Sequence, residues 1–173
     1  MPAVYRRRRP FSAAVVLVVV LLLAARFYLA EPPAAEPPPL VEGDYVVRRV
    51  VDGDTLLMTD GVRVRLIGVD TPETVKPDAP VEPWGKEAAE FTRNFVAGGN
   101  VRLRFDRERL DDFGRTLAYV YVGEAMLNEE LIRAGLSPAR TRFRYAPAMK
   151  KRFRTAEDEA RRAGRGIWSD KQP

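Results

Sequence analysis

Apolar positions change rhythm along this chain. Phe11 to Ala25 is a nearly unbroken apolar run, extended past Arg26 by Phe27-Tyr28-Leu29-Ala30. From Tyr45 the pattern turns to short β-branched and apolar segments: Tyr45 to Val51, Thr55 to Thr59 and Val62 to Ile67. Asp52-Gly53 and Asp60-Gly61 punctuate them as tight turns, which predicts a three-strand meander. A helix is predicted from about Trp84 to Val96, with Ala88, Phe91 and Phe95 along one face and Gly98-Gly99 ending it. Val101 to Asp106 alternates as a half-buried strand should, and Arg115 to Val122 predicts a fifth strand. Leu127 to Ala134 reads as a short helix. Met149, Phe153, Ala156, Ala160 and Ala163, at spacings of 4, 3, 4 and 3, mark a long one. No internal repeat is visible.

Five strands with a helix between the third and fourth are the element order of an OB-type barrel. The expected fold is α+β: a five-stranded OB-fold barrel with about three α-helices, over residues 42–171. One N-terminal transmembrane helix is expected ahead of it, over residues 11–30, preceded by a basic segment, residues 1–10. The stretch is roughly 20 residues, enough to cross a bilayer core of about 30 Å. Arg26 can snorkel and Tyr28 suits an interface. Arg6-Arg7-Arg8-Arg9 predicts an inside N-terminus and a domain displayed outside the cytoplasm. A cleavable signal peptide is the rival; Tyr28-Leu-Ala30 and Leu23-Ala-Ala25 are poor cleavage sites, so the uncleaved anchor is preferred. Residues 31–41, rich in proline, read as an extended linker that cannot join a sheet.

Composition removes whole classes of chemistry. The chain has no histidine and no cysteine. Imidazole acid/base catalysis, thiol nucleophiles and the common zinc ligand sets are therefore excluded. The net charge of +5 is mostly N-terminal: residues 1–30 carry five arginines and no acid, and residues 31–173 balance at 24 basic and 24 acidic groups. The body is polarised, with residues 42–136 at net −5 and residues 137–173 at net +7. Carboxylates gathered beside a basic flank produce such a split, and so does a solvated basic helix.

Three motifs carry the candidate chemistry: Asp52-Gly-Asp54-Thr55, Arg65-Leu-Ile-Gly-Val-Asp70-Thr71-Pro72-Glu73, and Asp112-Phe-Gly-Arg115. Asp54 opens one strand and Asp70 ends another, so a barrel can bring both carboxylates to the backbone carbonyl of Thr71. Hard oxygen donors of that kind suit calcium, or magnesium with more retained water. Each motif alone could be an ordinary turn or loop, and Asp52 is read as mainly a turn former. Arg65 interrupts the apolar alternation of Val62, Val64 and Leu66 and so points to the other face. A lone strand arginine is usually just solvated. Together with Arg115, however, it offers two planar guanidiniums that bind phosphate oxygens bidentately and neutralise a pentacoordinate transition state.

These motifs, with Gly-Arg-x-Leu-Ala-Tyr, Asn-Glu-x-Leu-Ile-Arg-x-Gly-Leu and the late Gly-Ile-Trp-Ser, resemble the staphylococcal nuclease (thermonuclease) family from about Tyr45 to Asp170. The resemblance implies an OB-fold barrel, calcium held by Asp54, Asp70 and the Thr71 carbonyl, and a catalytic trio of Arg65, Glu73 and Arg115. It implies in-line attack of water on phosphorus and 3′-phosphate ends on DNA or RNA. Glu73 would accept the water's proton or order the water; a carboxylate of ordinary pKa is a weak base at neutral pH. Departures fall at the nucleotide contacts. Asp112-Phe113 stands where the family has Lys-Tyr, and Thr141 where it has a second tyrosine, with Phe143 or Tyr145 as replacements. Phe113 and Tyr145 are the expected substrate contacts, Phe113 stacking on a base without donating to a terminal phosphate.

The expected protein is thus a membrane-tethered, calcium-dependent, largely sequence-nonspecific endonuclease with a monomeric catalytic domain and nucleic acid as substrate. The alternatives are a catalytically inactive OB-fold binding module and a structural or adhesion domain displayed on a stalk.

Overall fold

The computed structural model describes residues 13–29, 40–74 and 82–170. The proline-rich segment, apart from Leu40 and Val41, and the arginine cluster lie outside the described residues. The chain divides into two units, Met1–Glu36 and Pro37–Pro173.

The first unit contains one helix, α1 (Ala13–Leu29), of 17 residues. Val15 to Leu22 are all at least half exposed or close to it. At 1.5 Å per residue the helix reaches about 25 Å, short of a hydrocarbon core of about 30 Å. Among the described residues no helix is long and apolar enough to cross a membrane. The expected span, residues 11–30, also takes in Phe11, Ser12 and Ala30, which lie outside the described residues.

In the second unit the strands are β1 (Gly43–Asp52), β2 (Thr55–Met58), β3 (Arg63–Leu66), β4 (Asn100–Arg104), β5 (Thr116–Val122) and the short β6 (Ala125–Met126). They follow the order β3-β2-β1-β4-β5-β6, and β3 also pairs with β5. That last pairing is parallel and closes the barrel. Closure needs β1 to bend. Its first half, Gly43 to Val46, pairs with β4, and its second half, from Val47, pairs with β2. Register shifts after Val47 and after Val50 supply the bend.

Helix α2 (Gly85–Phe95) buries Ala88, Ala89 and Thr92, with Phe91 and Phe95 packed beside the core. Helix α3 (Leu127–Arg133) is fixed to the seam by Asn128. Its side chain accepts from the Val120 N–H and donates to the Ile67 and Ala118 carbonyls. Asn128 is wholly buried, so its loss would leave backbone groups unsatisfied, at about 1–3 kcal/mol each. Helix α4 (Pro147–Arg162) buries Phe153, Ala156 and Ala160, whereas Ala163, expected on that face, is exposed beyond the helix end. A 3-10 turn, Gly166–Trp168, follows. A Cβ on Gly135 would lie 2.2 Å from the Arg165 carbonyl oxygen, so only glycine lets this turn dock.

The folded body begins earlier than residue 42. Leu40 is buried in the core. Arg109 donates to the Leu40 carbonyl, and the Tyr45 hydroxyl donates to the Val41 carbonyl at 2.9 Å.

Candidate active site

The register of the barrel decides which side chains meet. Thr55 lies opposite Arg65 across β2 and β3, so Asp54, one residue earlier, ends beside the Arg65 guanidinium. Arg65 lies opposite Leu117 across the parallel seam, so Arg115, two residues before Leu117, reaches the same end of the barrel. Val64 and Leu66 face the core. Arg65 is thereby turned away from it.

Arg65 donates to Asp54 Oδ1 through Nη1 and to Asp70 Oδ1 through Nη2, the latter at 2.8 Å. Asp54 is 1% exposed. Its Oδ2 accepts the Thr71 N–H at 2.9 Å, and its Oδ1 accepts the Thr55 hydroxyl at 3.0 Å. Asp54, Arg65, Asp70 and Thr71 therefore converge on one point. Burial pushes the Asp54 carboxyl above its ordinary range, although Arg65 and the Thr71 and Thr55 hydrogen bonds pull the other way. The Thr71 hydroxyl is buried and has no hydrogen-bond partner. Among the described residues no group of three or more acidic side chains is placed to hold a metal ion; Asp54 and Asp70 are the two carboxylates that Arg65 joins.

Gly53 matters through contact rather than turn geometry. A Cβ there would fall 2.7 Å from Thr71 Oγ1 and 2.8 Å from the Ala88 Cβ. Its carbonyl accepts from the buried Thr92 hydroxyl on α2 at 2.5 Å. The helix thus anchors the turn that aims Asp54. Glu73 is exposed, and its backbone is held on both sides: its N–H donates to Glu82 at 3.2 Å and its carbonyl accepts the Glu82 N–H at 3.1 Å. Gly85 packs against that carbonyl, where a Cβ would come within 2.8 Å.

Arg115 and Arg65 line one cleft of about 260 Å³, together with Phe113, Phe143, Arg144 and Tyr145. Phe113 is 83% exposed and its ring lies 5.3 Å from the Arg115 guanidinium. Tyr145 lines the cleft but is buried, its ring 5.9 Å from Phe153 and its hydroxyl without a hydrogen-bond partner. Burial pushes that hydroxyl's pKa up to about 12. The aromatic that stands out into solvent in this loop is Phe143, 62% exposed.

Two residues went unrecognised in the sequence. Asp111 accepts the Phe113 and Arg115 N–H groups through Oδ1 and the Arg115 Nε through Oδ2, at 2.6 Å. Aspartate at the first position of a turn with glycine at the fourth was the readable signal. Arg140 donates to Asp70 Oδ2 through Nε and Nη2, at 2.9 and 2.5 Å. No local pattern points to it, because the pair spans 70 residues.

The burial of Asp54 has a measurable consequence. A carboxyl whose pKa is raised by folding lowers stability once pH exceeds its unfolded value, near 3.8, and that loss is complete above the folded value. Asp54→Asn removes the buried charge. At neutral pH in chelator the variant is expected to melt higher, by about 2–4 °C for each kcal/mol recovered. The gain disappears near pH 3. A melting temperature well below wild type at pH 7 would contradict this.

The match to the family described as "Staphylococcal nuclease homologue" covers residues 63–170. The chain is 47% identical over 134 residues to "Thermonuclease" of Staphylococcus hyicus, covering 75% of this chain and 78% of that one. It is 50% identical over 129 residues to "Thermonuclease" of Staphylococcus intermedius, at 72% and 75% coverage. It is also 41% identical over 127 residues to "Endonuclease YncB" of Bacillus subtilis (strain 168), at 70% and 59% coverage.

Proposed function

The chain belongs to the staphylococcal nuclease family and is a nuclease; we propose that it is a calcium-dependent, largely sequence-nonspecific endonuclease that leaves 3′-phosphate ends. The observation that carries this reading is the convergence of Asp54, Asp70 and Thr71 about Arg65, which lines a cleft together with Arg115.

The residues fit a hard cation. Asp54, Asp70 and the Thr71 carbonyl are oxygen donors, Asp54 is a buried carboxylate, and the neighbouring Thr71 hydroxyl is unpartnered. Two protein carboxylates leave several positions to water, as calcium tolerates. Bound there, calcium would polarise a phosphate oxygen and orient a water. The protein supplies the rest. Arg115 presents a bidentate donor pair to the phosphate, and Arg65, its terminal nitrogens on Asp54 and Asp70, adds its positive charge beside the oxygens on which charge grows. Asp111 holds the Arg115 fork by its Nε, which leaves both terminal nitrogens for substrate. Glu73 accepts a proton from the attacking water or orders it, on a backbone that Glu82 and Gly85 fix. Phe113, without a hydroxyl, stacks on a base and donates nothing to a terminal phosphate.

Digestion of DNA and RNA with calcium, followed by end-group analysis, tests the reading. The expected products resist 3′ extension until treated with a phosphatase. Products carrying 5′-phosphate and free 3′-hydroxyl would reverse the assigned scissile bond. Nucleic-acid binding without cleavage would favour the inactive OB-fold module.

Export of the folded body is also proposed. Its support is Arg6 to Arg9 ahead of an apolar segment and the proline-rich stretch after it. The full chain made in a bacterium is expected in the membrane fraction at unprocessed mass. A mature N-terminus near residues 26–36 would make the segment a cleaved signal, and a body protected inside the cell would overturn export.

A further inference from the structure

Asp70 is gripped from two directions. Arg65 takes its Oδ1, and the chain from Ser137 to Arg140 takes the rest of the residue. The buried Ser137 hydroxyl accepts the Asp70 N–H at 2.8 Å and donates to the Pro138 carbonyl. The Arg140 N–H donates to the Gly68 carbonyl at 2.9 Å, which pins the loop alongside residues 68–70. The Arg140 guanidinium then donates twice to Oδ2. One carboxylate carries two arginines, one on each oxygen.

We propose that Arg140 is a positioning residue that acts as a charge brake on the cation site, lowering its affinity for calcium through Asp70. The proposal rests on the metal assignment of Asp54, Asp70 and Thr71 given above. A divalent ion and a guanidinium that share one carboxylate repel each other. Coulomb repulsion at that range survives a high effective dielectric, although Asp70 and Arg140 are 41% and 49% exposed and salt screens part of it. Arg65 cannot play this part, because it joins both carboxylates and its removal would strip Asp54 of its ion pair. Arg140 touches Asp70 alone among the site's acids and stands at the solvent edge. The geometry retains the site's shape while weakening its hold, and a weak calcium site fills where calcium is abundant, outside the cytoplasm.

Calcium titration of the full chain by calorimetry, and calcium-dependent rise in melting temperature, read this without any turnover. Arg140→Gln is expected to bind calcium about three- to tenfold more tightly than wild type in low salt, with the gap narrowing as ionic strength rises. Arg140→Lys keeps the charge and is expected within about twofold of wild type. Ser137→Ala, which removes only a hydrogen bond, serves as the control for a merely structural effect and does not tighten binding. Equal or weaker calcium binding by Arg140→Gln, with wild type binding normally, overturns the brake. No calcium binding by any chain overturns the metal assignment and the brake with it.

Discussion

Arg115→Lys slows cleavage by about 3–6 kcal/mol, roughly 10²- to 10⁴-fold, while affinity for nucleic acid in calcium changes much less. Lysine keeps the charge but loses the planar fork. In the structure that fork is divided. Arg115 Nε is fixed on Asp111 at 2.6 Å, and among the described residues its two terminal nitrogens make no hydrogen bond. A lysine ammonium can satisfy Asp111 or the phosphate, but it cannot hold the first while presenting two parallel donors to the second. Interactions that strengthen as charge develops on the equatorial oxygens appear in the rate rather than in ground-state binding. Single-turnover rates beside binding isotherms separate the two. A loss confined to affinity would make Arg115 a docking residue.

Asp70→Asn and Asp54→Asn act on the metal first. The calcium needed for half-maximal activity is expected to rise on the order of 100-fold, since each removes one of two acidic donors at the site. Glu73→Gln behaves differently: turnover falls while calcium binding persists, because Glu73 is exposed and its carboxylate is assigned to the water. Magnesium is expected to support little or no turnover, because the smaller ion demands stricter octahedral geometry than two aspartates and a carbonyl provide. Calcium titrations of activity and of binding, run on the three variants, sort them. Unchanged calcium dependence in both aspartate variants would remove them from the site.

The elements of the barrel were readable because the signals were local. β-Branched runs, turn pairs and helical spacing found the five main strands and the helices at Gly85–Phe95, Leu127–Arg133 and Pro147–Arg162 within a few residues. The short strand Ala125–Met126 was not separated from its turn, since two residues carry no periodicity. The parallel β3–β5 seam was not legible either, because its partners lie some fifty residues apart and parallel pairing leaves no turn signature. That seam places Arg65 and Arg115 together. Asp54, Arg65, Asp70 and Arg115 were nonetheless singled out as candidates from motif co-occurrence. Arg140 was not, because its partner is distant and an exposed loop arginine looks like a solvated one. Tyr145 was expected at the substrate and lies buried against Phe153, with Phe143 outside. The loop Thr141–Tyr145 has no strand or helix to set the alternation, so which aromatic faces out is decided by packing on α4.

The most direct measurement is cleavage of nucleic acid by the full chain with calcium, and again after chelation. The account predicts turnover in calcium, none in chelator, and recovery when calcium is restored in excess. Turnover undiminished by chelator, or none in calcium from a folded protein that still binds nucleic acid, would contradict it.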